Sequence, residues 1–447
     1  MSGVARAVRG PGWRNWSGSV RFTPRRLARP ESIEEVVALV RAARDAGETL
    51  RVAGAGHSFT PLAVTEGTLV SLDGFHGLLA ADPAAGQATV RAGTRLRALG
   101  DALLGHGAAP ENLGDIDAQS IAGATSTGTH GTGAALGGLA AQVTGLTLVT
   151  GVGDVVECSE KSDPDLLSAA RVSLGALGVI VLVTLRVLPA YRLRYRSERM
   201  RLDEVVADLD RHLAEHRHFE FYAFPYSPWV QAKWQDPTEE PARDRRLRAF
   251  VNDEVMENAA VWTLCAAARA APRLSARIGK VMGRAVGPYG GVGHAHRVFA
   301  TPRRVRFNEM EYALPRERLP DVLQEVRATI ERRRLRVHFP IEVRFSAGDD
   351  IWLSTAYGRD SAYIAVHVFR GMPYRGYFAA MEEIFVRAGG RPQWGKLHSL
   401  GAPELRPRYP RWDDVLAARA RLDPDGVFLN PHLRHLFGLP GAPGRAD

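Results

Sequence analysis

A histidine set among glycines and a hydroxyl, Gly54-Ala55-Gly56-His57-Ser58-Phe59, follows directly on the short apolar run Leu50-Arg-Val-Ala53. Glycines let a backbone come close to a flat or phosphorylated ligand, and a neutral imidazole beside them can be a nucleophile. Far along the chain, in Phe339-Pro-Ile341-Glu342-Val343-Arg344-Phe345, apolar residues alternate with charged ones, so Glu342 and Arg344 share one face of a strand. Ile364, Val366 and Val368 alternate likewise against Tyr363 and His367. Lysine occurs only at 161, 233, 280 and 396, and Lys396 sits in Arg391-Pro-Gln393-Trp394-Gly-Lys396-Leu-His398. A carboxylate, a guanidinium, an ammonium and an imidazole around one pocket could orient a hydroxylated substrate and stabilise developing negative charge. Plainer readings stand beside these: a solvated Glu–Arg face that contributes little, a satisfied structural His367, a surface lysine, and a His57 that caps a turn.

Two more glycine clusters bear on the first. Gly114-Asp-Ile-Asp-Ala-Gln-Ser120-Ile-Ala-Gly123-Ala124-Thr-Ser-Thr127-Gly128-Thr129-His130-Gly131-Thr-Gly133 offers many backbone N–H groups and short hydroxyls to a pyrophosphate. Ser173-Leu-Gly175-Ala-Leu-Gly178-Val-Ile180-Val puts glycines immediately before an apolar strand. A nicotinamide-type Rossmann turn does not fit, because position 59 is Phe and Pro61 interrupts the helix such a turn launches.

The elements that must carry these groups read as alternating β and α up to Pro189. A helix is expected over Glu31–Ala46, ended by Gly47, and another over Arg95–Leu104. Strands are expected at 50–53, 68–72, 88–92, 142–150, 155–158 and 179–187, the last beginning with Val-Ile-Val-Leu-Val, apolar throughout and so expected to be covered on both faces. Beyond Tyr191 come an aromatic segment at 219–224, a charged stretch at 236–248 and an alanine-rich helical region at 254–282. A glycine-rich break follows at 287–293, then strands at 307–313, 337–345, 351–355 and 363–369, a helix at 377–388 and a polar tail. The 447 residues suit two domains divided near residue 190.

Composition excludes several classes. The 45% hydrophobic and 24% charged content suits a globular core. The net charge of +9 is carried by arginines spread from end to end, which argues against a nucleic-acid surface. Cys158 and Cys265 make neither a disulfide framework nor a metal cluster, and His212, His216, His218, His294 and His296 lack ligand-spaced carboxylates, so no metal is expected. No apolar stretch is long enough to span a bilayer and no secretory h-region is visible. A cytoplasmic protein is expected, with peripheral membrane contact left open.

Residues 16–190, on the Gly-His-Ser loop, the Thr127-Gly-Thr-His-Gly131 stretch and the 173–181 segment, resemble the FAD-binding domain of the vanillyl-alcohol oxidase superfamily. The chain is most similar to its sugar-1,4-lactone oxidases (gulonolactone and arabinonolactone oxidases), with the alditol oxidases as near relatives. Trp394-Gly-Lys396 is similar to their His-Trp-X-Lys signature, with Gln393 in place of the histidine, and 422–431 matches their final segment. The resemblance implies an α+β fold of the two-domain vanillyl-alcohol oxidase type. Residues 16–190 would form the FAD-binding, PCMH-type domain. Residues 191–447 would form the substrate-binding cap, an antiparallel sheet with covering helices, whose tail returns to the FAD domain.

It further implies FAD bonded covalently through His57, with Gly54, Ala55, Gly56, Ser58, Gly114, Ser120, Gly123, Ala124, Thr127, Gly128, Thr129, His130, Gly131, Gly178, Ile180 and Lys396 around the cofactor. Catalysis would fall to Glu342, Arg344, Lys396, His367 and Ser120. The expected reaction is oxidation of a CH–OH group of a sugar-1,4-lactone by hydride transfer to flavin N5, with oxygen or another carrier as acceptor. The alternatives are a polyol (alditol) oxidase and, from a different class, a basic binding protein without flavin.

Overall fold

Helix Ile33–Asp45 begins where Ser32 accepts the Glu35 N–H and ends two residues before Gly47, whose φ of +60° turns the chain back. It links strands of a four-stranded sheet in which Arg26–Ala28, Thr68–Val70 and Leu50–Val52 run parallel. The computed structural model describes residues 8–242, 258–300 and 305–441. A six-stranded antiparallel sheet, in the order Val155–Ser159, Val143–Val149, Val179–Pro189, Gln87–Arg91 and Leu78–Asp82, with Ala108–Pro110 at its side, completes the first half.

The second half is built on an eight-stranded sheet. Its order is Tyr289–His294, Arg192–Arg201, Trp229–Thr238, His218–Ala223, Ile341–Ser346, Ser361–Phe369, Phe307–Pro315 and Arg391–Pro392, and every pairing is antiparallel. Helices Leu319–Arg332 and Arg375–Arg387 bury Val322, Val326, Ile330, Phe378, Met381 and Phe385. The charged residues of the central strands lie on one face, towards the first half. There the loop at Thr132–Gly133 docks onto the sheet, with Phe345 N–H donating to the Thr132 hydroxyl at 3.2 Å and Gly133 N–H to the Phe345 carbonyl at 2.9 Å.

Several sequence expectations need correction. Strand Val179–Pro189 is covered on both faces only over its first three residues; from Leu182 it alternates, and Arg186 is exposed. The glycine-rich 287–293 segment is not a break but the edge strand Tyr289–His294, where Gly290 and Gly291 let the strand lie against the Tyr195 carbonyl and ring. Residues 351–355 form turns, because the Asp349 carboxylate accepts from the Ile351 N–H and the Ser354 hydroxyl and bends the chain. The 337–345 strand starts only at Ile341, after Pro340, which has no N–H to donate.

The alanine-rich region is two helices, Asn258–Ala270 and Ser275–Ala285, parted at Pro272; residues 254–257 lie outside those described. Of the charged stretch at 236–248, strand Trp229–Thr238 takes the start, and 243–248 lie outside the described residues. His218 opens strand His218–Ala223.

The tail is not merely polar. Helices Trp412–Leu422 and Pro431–Phe437 bury Trp412, Val415, Leu433 and Phe437, and the link between them runs along the first sheet. Leu50 N–H donates to the Val427 carbonyl at 2.9 Å. Asn430 caps the last helix through Leu433 N–H, and its amide donates to the Pro61 and Val64 carbonyls at 2.9 Å. Arg51, fully buried, donates to the carbonyls of Leu62, Leu174, Gly175 and Phe428 at 2.6–2.9 Å. One guanidinium thus ties the tail to two loops of the first half.

Candidate active site

The 54–59 loop is pinned on both sides. Trp16 N–H donates to the Gly56 carbonyl (2.7 Å), Asn15 to the Ser58 carbonyl (3.0 Å), and Phe59 N–H to the Gly395 carbonyl (2.6 Å). Gly56 has φ +71°, a left-handed conformation that costs a side-chain-bearing residue roughly 1–2 kcal/mol. A Cβ at Gly54 would collide with the Ser120 hydroxyl. His57 lies against Trp16, ring centroids 5.5 Å apart and nearly parallel. Its Nδ1 is buried without a hydrogen-bond partner. Burial first, then the Lys396 and Arg95 charges, push the imidazole down to about 4, so it is neutral at neutral pH.

Behind this loop opens a cleft of about 1030 Å³. Gly54, Ala55, Gly56, His57, Ser58, Ser120, Gly123, Thr127, Gly178 and Ile180 all line it, together with Leu174, Gly175 and Arg51. Its walls offer backbone and hydroxyls, with one buried cation at the side. At His57, Ser58, Gln119 and Thr127 it meets a second cavity of about 650 Å³, the chamber, whose wall holds Gly114, Thr129, His130, Glu342, Arg344, His367 and Lys396. Ser120 therefore stands on the cleft side, apart from the four charged candidates. Ala124, Gly128 and Gly131 line neither cavity: Ala124 is in the core, and Gly131 packs against the Leu113 carbonyl.

The chamber is a network of paired charges. Arg344 Nε meets Glu220 at 2.9 Å, and its Nη2 contacts both Asp115 (2.5 Å) and Glu342. Tyr222 donates its hydroxyl to Glu342 at 2.7 Å. Lys396 pairs with Glu309, and His367 Nε2 lies between Glu309 (3.4 Å) and Glu342 (3.7 Å). His130, stacked on Tyr363 with centroids 3.6 Å apart, faces Glu311 at 3.2 Å.

Burial opposes each charge and the partners overcome it. Glu309 is held well below the usual carboxylate range by Lys396 and His367. Lys396 is raised by Glu309 and Glu311. Arg344 is raised well above its ordinary value by Asp115, Glu342 and Glu220. Burial and the neighbouring carboxylates hold the Tyr222 phenol protonated.

Sequence reasoning named Glu342, Arg344, His367 and Lys396 but missed their partners. Glu309 and Glu311 alternate with buried Met310 on strand Phe307–Pro315, and Glu309 lies directly across from His367. Glu220 and Tyr222 occupy the same face of the neighbouring strand, and Asp115 follows Gly114 in the first-half loop. The signal was present as Phe307-Asn-Glu-Met-Glu-Tyr312, a charged alternation like that around Glu342. Glu309, Glu342 and His367 bring ligand atoms within 4.8 Å of one another, but Lys396 and Arg344 already hold these carboxylates. Of the histidines outside the chamber, His216 pairs with Asp236 and His296 with Asp101. Gln393 uses both ends of its amide, donating to the Thr127 carbonyl (2.8 Å) and accepting from Gly395 N–H (2.7 Å). It clasps the Lys396 turn to the glycine loop.

The fold and cleft define a flavoprotein of the PCMH type. Residues 24–159 match the family model described as FAD binding domain. Over 97% of both chains the fold superimposes on the cholesterol oxidase of Brevibacterium sterolicum with a TM-score of 0.82 at 20% identity. Residues 183–436 match the model described as D-arabinono-1,4-lactone oxidase, and the chain belongs to that family. It is 43% identical to the L-gulono-1,4-lactone dehydrogenase of Mycobacterium tuberculosis over 96% of this chain and 99% of that one. It is 34% identical to the L-gulonolactone oxidase of Bos taurus over 97% and 100%. FAD binding leaves no place for the flavin-free binding protein. Among the described residues, no helix is long and apolar enough to cross a membrane.

Proposed function

We propose that this protein oxidises a CH–OH group of a sugar-1,4-lactone, with residues 16–190 holding FAD and 191–447 presenting the lactone. The observation that carries the reading is the junction of a glycine-walled cleft, with only Arg51 and Asp73 as charged lining, with a chamber of aimed polar groups at His57. The cradle fits the cofactor: Gly54 and Gly56 stand where side chains would intrude, and the neutral His57 keeps an unclaimed buried nitrogen. FAD, when bound, supplies the hydride acceptor.

This chain's own residues do the rest. Lys396 and Arg344 bind the reacting hydroxyl and stabilise negative charge on its oxygen. Glu342, held by Arg344 and Tyr222, takes the hydroxyl proton; His367 fixes a second hydroxyl, and Gln393 keeps Lys396 facing the junction. Ser120, on the cleft side, orients the cofactor rather than the lactone.

His57 is the proposed covalent anchor, through a bond to the flavin 8α-methyl carbon. The relatives' names divide between oxidase and dehydrogenase, so the acceptor is oxygen or another carrier. The buried, unbonded Cys158 and Cys265 suit a reducing cytoplasm.

The test is the purified protein's colour and turnover. Yellow that stays with the chain after denaturation, and lactone oxidation with oxygen or a dye acceptor, are expected. His57→Ala should fold, release its FAD on denaturation and turn over more slowly. A variant that kept flavin bonded to the chain would remove His57 as the anchor.

A further inference from the structure

Asp115, Glu309, Glu311 and Glu342 line the chamber with Arg344 and Lys396, and each of the two cations has a carboxylate in reach. Arg344 is met by three carboxylates, Glu220 from behind and Glu342 and Asp115 at the chamber wall. Lys396 is met by Glu309, and Lys233 lies 3.5 Å from Glu220. His130 presents Nδ1 to the Gly131 carbonyl (2.9 Å) and Nε2 to Glu311 (3.2 Å). His367 presents Nδ1 to the Pro340 carbonyl (3.3 Å) and Nε2 to Glu309 and Glu342. Each ring therefore already has a carboxylate beside its Nε2 and a backbone carbonyl beside its Nδ1. Among the described residues, each cation of the chamber already faces a carboxylate, with which a permanently charged anionic ligand would have to compete.

We infer that the chamber selects for uncharged substrates, and that Asp115 is the residue that sets this selection by cancelling the chamber-facing charge of Arg344. The inference rests on the sugar-lactone reading and gives it a boundary. Water adding at the lactone carbonyl breaks the ring C–O bond and, once the acid proton is lost, leaves an aldonate with the same carbons, one more hydroxyl and one negative charge. An enzyme that recognised hydroxyls alone would bind both. Here the aldonate, like a uronate or a sugar phosphate, would have to displace a carboxylate from Arg344 or leave its own charge buried without a partner. Either is strongly unfavourable. The chain's net charge of +9 draws anions to its surface. The exclusion therefore lies in the chamber and not in the long-range field. Asp115 is placed to set it because it comes from the cofactor-side loop and is the most exposed of the three Arg344 partners, 18% against 6% and 7%.

Asp115→Asn keeps the side chain's size and removes its charge. The holoenzyme and this variant would be titrated with the lactone, its aldonate and a neutral alditol of the same carbon number. Binding is read by competition and by perturbation of the flavin absorbance. The wild type should bind the aldonate at least about 100-fold more weakly than the lactone, and Asp115→Asn should tighten the aldonate at least about tenfold while the alditol moves less than about threefold. A wild type that binds aldonate as tightly as lactone, or a variant that gains nothing for aldonate, overturns the inference. If the variant does not fold, the wild-type ratio of aldonate to alditol decides alone, and equal affinities overturn it. A protein that oxidises no lactone, yet whose flavin spectrum responds to the alditol and not to the aldonate, would sink the proposed reaction and leave the charge selection standing.

Discussion

The glycine-walled cleft and the charged chamber share His57, Ser58, Gln119 and Thr127, yet they are built by opposite means. The cleft is shaped by what is missing: side chains at Gly54 and Gly56, and charge nearly everywhere but at Arg51 and Asp73. Backbone and hydroxyl groups from three stretches of chain line it. The chamber is crowded with ionised groups whose positions are set by strand register, and each is tolerable only because its partner is there. A local defect in the cleft should therefore weaken one ligand, while a single charge removed from the chamber should disturb several neighbours at once.

The largest effect should come from Lys396→Met. Turnover at saturating substrate should fall by about 10²–10³-fold, as when one preorganised electrostatic contact is removed. The variant should also be destabilised by about 3–5 kcal/mol, because Glu309 is left buried without its partner. Adding Glu309→Gln should return most of the thermal stability but none of the turnover. If the double variant were as unstable as the single one, the paired-charge account of the chamber would be wrong.

A middle-sized effect is expected for Gly56→Ala. Strain of roughly 1–2 kcal/mol at φ +71° should lower the flavin-to-protein ratio while the ion pairs of the chamber stay intact. Measuring lactone KM on the fraction that retains flavin separates the two regions. A large KM change there would mean that cleft and chamber are not independent.

The smallest effect concerns histidines. His130 and His367, in the chamber, face acceptors at both nitrogens, whereas His398, two residues past Lys396, is pushed down to about 4 by burial. Its folded value lies below the unfolded 6.5, so the unfolded chain binds more protons between the two. Its contribution to stability is fully present above about pH 6.5 and is lost as pH falls towards 4. His57, His218, His338 and His432 are lowered in the same sense. The melting temperature should drop through this window, and His398→Gln should make the drop shallower. An unchanged slope would show that His398 does not titrate there.

The same contrast explains what could be read before the fold was seen. Gly54, Gly56, Gly123 and Gly178 announce a close approach within their own few residues, so the cleft was legible. Glu342 and Arg344 were legible because they alternate on one strand. Their partners come from strands 307–315 and 218–223 and from the loop at Asp115, and strand order is not written in any single segment. Glycine and β-branched residues also misled where tertiary contacts decided. Gly290 and Gly291 serve an edge strand against Tyr195, and Ile351–Thr355 is bent by Asp349. The parallel sheet and the helix Ile33–Asp45 followed their local signals closely because capping by Ser32 and the Gly47 turn are local events.

Arg51 adds a constraint in time. Its guanidinium fixes the Leu174–Gly175 wall of the cleft only in company with the Phe428 carbonyl, 377 residues further on. A chain emerging from the ribosome has completed every other part of that wall long before Phe428 arrives. A chain stopped short of Phe428 would therefore lack one of the four carbonyls that hold Arg51 against this wall.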